Sequence, residues 1–313
     1  MDVGNPSPSA PKIPAEGAFL LIDKPRGPSS HQVTAWVRDM LGVPRAGHAG
    51  TLDPSVSGLL VVALGKSLRL IPLVLTFPKR YIGVVQLHGP VTRTALTSVL
   101  GEFVGPIYQT PPVRSAVKRQ RRVRTIHSLR LLESAQNTVL IDVTCESGTY
   151  IRTLAVDVGD ALGVGAHLSE LRRVGTGPFL EEQIVTLQML SDAIALSSEG
   201  HPELLKGMLH APEEVWTRVP RVWVKDSAVD ALAHGADLAA AGVASITGNF
   251  VAGDRVALVT RQEELVATGR ALFDSSAIPG KKEGWVIDAE SVFLAPGQYP
   301  RHWGAAKRRE KPQ

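Results

Sequence analysis

Apolar residues recur with a period that changes along the chain, and each change predicts an element. Ala18 to Asp23 is a short apolar run ending at Lys24-Pro25 and Gly27-Pro28, the pattern of a strand entering a turn. Ser29 and Gln32 have the spacing of a capping box. Val33, Trp36, Val37, Met40 and Leu41 then repeat at helical intervals until Gly42 and Pro44. Gly47 to Pro54 carries too many turn formers for a regular element and reads as a loop. Gly58 and Gly65 enclose a buried strand, LLVVAL. Residues 67–75 read as a helix despite Pro72, and Tyr81 to His88 as a strand. Thr138 to Cys145 is another strand. Gly148-Thr149-Tyr150 leads into a helix with Ile151, Leu154, Ala155, Val158 and Leu162 on one face, ended by Gly163. Leu168 and Leu171 predict a further short helix over about 166–173, carrying the pair Arg172-Arg173.

The pattern weakens over 190–215, where Pro202, Pro212 and Pro220 appear, and a boundary is placed close to Val219. Beyond it the sequence predicts a helix over Ser227–His234 and strands over Asp254–Thr260, Leu265–Leu272, Trp285–Ile287 and Val292–Leu294. Residues 1–16 are rich in Pro and Ser and read as a flexible lead-in. The organisation expected is therefore a catalytic-size domain over 17–218, a small β-rich domain over 219–298 and a basic tail over 299–313. Strands and helices in this irregular order predict an α+β fold with a mixed or antiparallel sheet.

At 44% hydrophobic and 20% charged residues in 313, the chain lies well outside the disordered class. Its longest apolar run, Leu59 to Leu64, is too short to cross a bilayer, and the first residues lack the order of a signal peptide. A soluble, cytoplasmic protein is expected. The single cysteine, Cys145, excludes an intrachain disulfide, and no Cys/His cluster has zinc spacing. Neither GxGxxG nor GxxxxGK[ST] occurs, so no cofactor and no metal is expected.

Charge adds a direction. Residues 114–130 hold seven Lys/Arg and no acid, and 301–313 hold five with one acid. Taking those out of the chain's 34 bases and 30 acids leaves 22 against 29. Basic patches of this kind face polyanions, though a solvated loop and tail give the same count.

Three residues stand out chemically. Asp53 lies in a glycine-containing loop where a carboxylate can be presented to a ligand, although Asp-Pro also starts ordinary turns. Arg152 falls in the first turn of a helix, a position the macrodipole disfavours for a cation. Beside a buried carboxylate it would keep that group anionic, as a nucleophile requires; alone it is a solvated side chain. Tyr81 opens a strand and in isolation is an ordinary core aromatic.

Longer stretches carry a resemblance. GAFLLIDKPRGPSSHQV (17–33), GHAGTLDPSVSGLL (47–60), KRY (79–81) and ESGTYIRTLAVDVG (146–159) resemble successive motifs of the pseudouridine synthases of the bacterial tRNA T-arm and dyskerin types. AVKRQRRVRTIHSLRLLE (116–133), GVGAHLSELRRVGTGPF (163–179), VWVKDSAVDALAHGADLAAAGV (222–243) and YPRHWG (299–304) resemble its archaeal dyskerin-like branch. The likeness runs from about 17 to 304.

The resemblance implies a pseudouridine synthase domain followed by a PUA domain that holds guide RNA. Asp53 matches the catalytic aspartate, Tyr81 the aromatic that stacks on the target base, and Arg152 the arginine paired with the aspartate. Leu171 matches a pocket-lining residue, His48 a loop histidine that reshapes the RNA, and Lys24 with Pro25 a support of the active-site loop. The segment around 114–124, with Arg119, Arg121 and Arg122, corresponds to an RNA-closing thumb loop. The function implied is guide-directed isomerisation of uridines in rRNA, with tRNA as a further substrate class, inside a box H/ACA ribonucleoprotein. Its implied partners are a guide RNA, a small zinc-containing protein, a small β-barrel protein and a kink-turn-binding ribosomal-type protein. A stand-alone tRNA enzyme is the nearest alternative and a non-catalytic RNA-binding scaffold the alternative of another class. Two positions depart from the family pattern, Arg80 and Pro90, where acids are expected, and both are read as flanking the site.

Overall fold

The computed structural model describes residues 13–110 and 120–301, in two units that part between His210 and Ala211. In the first unit the strands are β1 (Ala18–Lys24), β2 (Ala46–Ala49), β3 (Ser57–Leu64), β4 (Lys79–Leu87), β5 (Gly105–Gln109), β6 (Arg122–Ala135), β7 (Thr138–Cys145), β8 (Ala166–Thr176), β9 (Phe179–Leu180) and β10 (Leu209–His210). They form one sheet in the order β10-β1-β3-β8-β4-β7-β6-β5, with β2 on β3 and β9 on β8. Only β3 and β8 run parallel, so the sheet is mixed. The helices are α1 (Ser30–Leu41), α2 (Ile71–Thr76), α3 (Arg93–Glu102), α4 (Ile151–Ala161), α5 (Leu187–Ser198) and α6 (Glu203–Gly207).

Two cores hold these layers. Leu20 and Ile22 of β1 and Leu60, Val62 and Leu64 of β3 pack with Val33, Val37 and Leu41 of α1 and with Leu190 of α5. Leu59 to Leu64 are all fully buried, so β3 is covered on both faces; that explains its unbroken apolar run. The second core joins β4, β6 and β7 to Leu96 and Leu100 of α3 and to Leu154, Ala155 and Val158 of α4. The face of α4 predicted from its periodicity is the buried one, except that Leu162 is only partly buried.

The helix expected over 166–173 is instead part of β8. A shift of register between Val84 and Val85 places Leu168 opposite Val85 and Leu171 opposite Gly83, leaving Ser169 as the extra residue of a bulge. Two leucines three apart thus reach one face of a strand, and the spacing imitates a helix. Both lie 3.3 Å from where a Cβ on Gly83 would stand, so the glycine makes room for them.

Other differences are smaller. The start of the expected loop, Gly47 and His48, is paired with Ala63 and Val62 as strand β2. Residues read as one helix through Pro72 form a 3-10 turn, Gly65–Leu70, and then α2, with the proline in its first turn where no helical hydrogen bond is lost. The fourteen-residue β6, which the periodicity did not announce, carries two register shifts that break its alternation.

The second unit contains α7 (Glu213–Trp216), β11 (Arg221–Val224), α8 (Asp226–Ala233), β12 (Leu238–Ala239), β13 (Val243–Thr247), β14 (Arg255–Val259), β15 (Leu265–Ala271) and β16 (Trp285–Val292). Its sheet runs β12-β16-β15-β14-β11-β13 around a core that includes Val222, Leu258, Val266 and Val286. The strands expected separately at 285–287 and 292–294 are one strand through Val292. Glu290, which interrupts the apolar pattern, pairs on the surface with Arg255 and Arg270.

Candidate active site

Asp53 stands in the loop between β2 and β3, and the backbone on either side of it is pinned. The Ser30 hydroxyl donates to the Leu52 carbonyl (3.0 Å) and accepts from the Leu52 N–H (2.8 Å). The buried Lys24 ammonium donates to the carbonyls of Val56 (2.8 Å), Pro25 (2.9 Å) and Pro54 (3.4 Å). Gly27 N–H adds a bond to the Pro54 carbonyl (2.8 Å). Desolvation lowers the pKa of Lys24. Entry into the loop is at Gly50, whose φ of +89° lies in the region that favours glycine.

Such a latch has a measurable consequence. Ser30→Ala would leave both the N–H and the C=O of Leu52 without this partner, at about 1–3 kcal/mol for an unsatisfied buried group. Urea unfolding is expected to show a loss of that size, with slower turnover because the residue released is the one before Asp53.

Arg152, the second residue of α4, forms an ion pair with the Asp53 carboxylate. The two side chains are 53% and 50% exposed. A pair this open contributes ~0–1 kcal/mol to stability, and the helix dipole opposes a cation there, so folding gives no reason for it. The start of α4 has no side-chain cap of its own. Buried Gln109 at the end of β5 serves instead, donating to the Tyr150 carbonyl (3.1 Å) and accepting from its N–H (2.9 Å).

Tyr81 on β4 is partly buried and packs, with Leu171 of β8, against the core that α4 covers. Burial raises the pKa of the phenol, so the hydroxyl stays protonated. Two residues earlier on the strand, Lys79 is buried and donates to the carbonyls of Val74 (3.2 Å), Leu75 (3.0 Å) and Phe77 (2.6 Å) and to the Ser147 hydroxyl (3.1 Å). Desolvation, assisted by the charge of Arg173, lowers its pKa to about 7.

His48 is half-buried in β2, its ring edge-on to His31 with centroids 4.7 Å apart. Desolvation, then the nearby His31 and Arg173, lowers its pKa from 6.5 to about 4. Between those values the unfolded chain binds a proton on this ring that the folded protein does not. Stability is therefore expected to fall as pH drops through that window. A His48→Gln protein should show a shallower acid slope in denaturant midpoints measured from pH 7 to about 4.5.

Arg80 points away from Tyr81, to the opposite face of the sheet. It forms a two-point pair with buried Asp142 (3.0 and 2.9 Å), which Arg130 also holds (2.6 Å). Burial pushes the Asp142 carboxyl up, but the two guanidiniums outweigh it and hold it below the usual carboxylate range. The departure at Arg80 thus concerns the far face and leaves the Tyr81 side untouched. Pro90 is exposed in the bend after β4. Cys145 is buried, and burial raises its thiol to about 11, so it has no reactive character at neutral pH.

Of the basic segment, Arg121 lies 4.6 Å over the Tyr108 ring and Arg122 begins β6, both exposed; Arg119 lies outside the described residues. The tail beyond Arg301 lies outside them as well. Ser30, Gln109 and Arg173 are the site-supporting residues that sequence reasoning missed. Each acts on backbone far away in the chain, and no local spacing announces that. Among the described residues, no helix is long and apolar enough to cross a membrane.

Comparison with known proteins gives a consistent result. Residues 38–151 match the N-terminal domain model of the TruB family pseudouridylate synthases. Residues 152–216 match a tRNA pseudouridylate synthase B C-terminal domain, and 220–293 a PUA domain. A protein of Methanothermobacter thermautotrophicus named "Probable tRNA pseudouridine synthase B" is 47% identical over 90% of this chain and 87% of its own. One of the same name from Pyrobaculum arsenaticum is 45% identical over 94% and 89%. Among solved structures, a Cbf5-Nop10-Gar1 complex matches with TM-score 0.85 and 43% identity over 95% of this chain and 93% of that one. An H/ACA RNP bound to a substrate RNA containing 2'-deoxyuridine matches with TM-score 0.80 and 39% identity, over 96% of each chain.

Proposed function

Because the chain belongs to the TruB family of pseudouridylate synthases and resembles its archaeal dyskerin-like branch, we propose that it isomerises uridines chosen by a guide RNA, as the catalytic subunit of an H/ACA ribonucleoprotein. The reading rests on one observation, the near-full-length likeness to the Cbf5 structures, PUA domain included. Its substrate is a uridine of rRNA, with tRNA as a second class, in the cytoplasm. Its partners are a guide RNA, a small zinc-containing protein, a small β-barrel protein and a kink-turn-binding ribosomal-type protein. One of the similar solved complexes contains Nop10 and Gar1, which supports the first two protein partners.

Each residue then has a task. A uridine in structured RNA is shielded by its neighbours and has to leave the stack, at a few kcal/mol. Stacking on the Tyr81 ring offsets ~1–3 kcal/mol of that. Leu171, which packs beside Tyr81 on the same core, is assigned to the wall of the pocket. RNA seated over the half-exposed ion pair excludes water, and in that setting a guanidinium strongly favours the charged form of a neighbouring carboxylate. Asp53 acts on the nucleoside, the N-glycosidic bond breaks, the base turns, and a carbon–carbon bond to the ribose forms as that ring carbon gives up its proton and the freed nitrogen takes one up. The reaction is an isomerisation, so it calls for no redox or phosphoryl-transfer partner.

The names of the curated relatives favour a second reading, a stand-alone tRNA enzyme. Turnover of one RNA with and without guide separates the two: the proposal expects a pseudouridine at the guide-paired site only when guide is present. Equal turnover of tRNA without guide or partners would favour the second reading.

Arg119, Arg121 and Arg122 are assigned to RNA phosphates. Neutralising all three is expected to weaken RNA binding and to flatten its dependence on log salt by roughly 0.7–0.9 for each phosphate they neutralise. An unchanged slope, measured by titration at several salt concentrations, would give this segment to a protein partner instead.

A further inference from the structure

Arg172 and Arg173 are adjacent on β8 and have opposite surroundings. Arg172 faces one side of the sheet and is matched by two carboxylates, Asp23 (2.9 and 3.1 Å) and Glu181. Arg173 faces the other side, is 1% exposed, and pairs with no carboxylate among the described residues. A buried cation without a counter-charge carries a large desolvation penalty. Neutral donors such as Gln would satisfy backbone carbonyls without it, so the positive charge calls for its own explanation.

The guanidinium's partners supply one. Its Nε donates to the Leu59 carbonyl (2.8 Å) and its Nη2 to the Gly50 carbonyl (3.0 Å). Leu59 lies where β3 passes from pairing with β8, at Ser57 and Gly58, to pairing with β2, at Val61 to Leu64. Out of that gap comes the loop carrying Asp53, and Gly50 is its first residue. A Cβ on Gly50 would stand 3.3 Å from Nη1 of Arg173, so glycine is what lets the loop settle on the guanidinium. On the other flank, a register shift between Arg80 and Tyr81 sets Tyr81 directly opposite Arg173. Residues opposite one another in an antiparallel pair share a face, so the Arg173 guanidinium and the Tyr81 side chain lie on the same side of the sheet.

We propose that Arg173 is a positioning residue of the reaction: one buried guanidinium holds the Asp53 loop against β3 and against the strand position that faces Tyr81. A planar fork with donors in fixed, divergent directions can hold two carbonyls at once, one on β3 and one on the loop, which the point charge of Lys and the shorter amide of Gln do not reproduce. The Ser30 and Lys24 bonds secure the loop next to Asp53, whereas Arg173 ties its base to the strand position opposite Tyr81. The inference rests on the reading of Asp53 and Tyr81 as the reacting pocket.

The test compares Arg173→Gln, Arg173→Lys and Arg173→Met in the assembled protein–RNA complex, with single-turnover rate, RNA Kd and melting temperature as readouts. An ångström of misplacement is worth up to about 100-fold in rate, so roughly 10- to 100-fold slower chemistry is expected for Gln and Met at an unchanged Kd. Lys, which keeps the charge, should recover part of the loss. Wild-type rate in Arg173→Gln would overturn the inference, and so would a loss that Lys does not recover in part. Should Met not fold, Gln and Lys carry the comparison. Wild-type protein is run beside them on guided RNA and on tRNA. Guide-independent turnover would thus revise the function proposed above while leaving the comparison of variants intact.

Discussion

An Asp53→Asn protein is expected to bind RNA as wild type does and to make no pseudouridine. Asn has nearly the shape of Asp but cannot ionise, so the substitution isolates charge from volume. The loop should not move, because its fastenings are to backbone: Ser30 to Leu52, Lys24 to Pro54 and Val56, Arg173 to Gly50. Stability should change by no more than ~1 kcal/mol, since the carboxylate's pairing is with a half-exposed Arg152. Removing a reacting group from a working constellation lowers turnover by about 10⁴-fold or more, which places the expected rate at the floor of a single-turnover assay. Normal melting and RNA binding, with conversion absent, is the pattern to look for. Retained conversion would remove Asp53 from the chemistry.

Arg152→Met should come next in size. It deletes the positive charge at Asp53 while keeping an unbranched chain of similar reach. Turnover is expected to fall by roughly 10²–10³-fold, the usual range for losing one preorganised electrostatic partner. The helix should survive, because Gln109, not Arg152, satisfies the backbone at its start. A cation leaving the positive end of α4 relieves a few tenths of a kcal/mol. The melting temperature should therefore hold or rise while the rate collapses. Arg152→Lys, a point charge in place of a planar fork, should lie between the two. A joint fall in melting temperature and rate would instead make the ion pair structural.

Asp53, Arg152 and Tyr81 were legible in the sequence only through long motifs. Spacing alone left Asp53-Pro54 as an ordinary turn and Arg152 as a solvated cation. The pairing of Asp53 with Arg152 depends on the loop after β2 meeting the start of α4, which no local pattern encodes. The apolar run of β3 and the face of α4 were plain because burial is periodic there. The misread helix at 166–173 shows the opposite case, in which a bulge at Ser169 gives a strand the spacing of a helix. Arg173 was visible only as half of a basic pair. What separates it from Arg172 is the strand's alternation, which turns one guanidinium to two acids and the other under the loop that carries Asp53. In the second unit α8, β14 and β15 are legible from short apolar runs, whereas α7, β11, β12 and β13 are too short to announce themselves and the expected break in β16 falls at polar Asp288 and Glu290.

The most direct measurement uses two guide RNAs that differ only in their pairing sequences, supplied in turn to one target RNA carrying both matching uridines. After reconstitution with the protein partners, pseudouridine is mapped at each position. The expected result is that the modification moves with the guide and that Asp53→Asn protein gives none at either site. The same uridine modified whichever guide is present, or conversion persisting without the carboxylate at position 53, would contradict guide-directed isomerisation by this pocket.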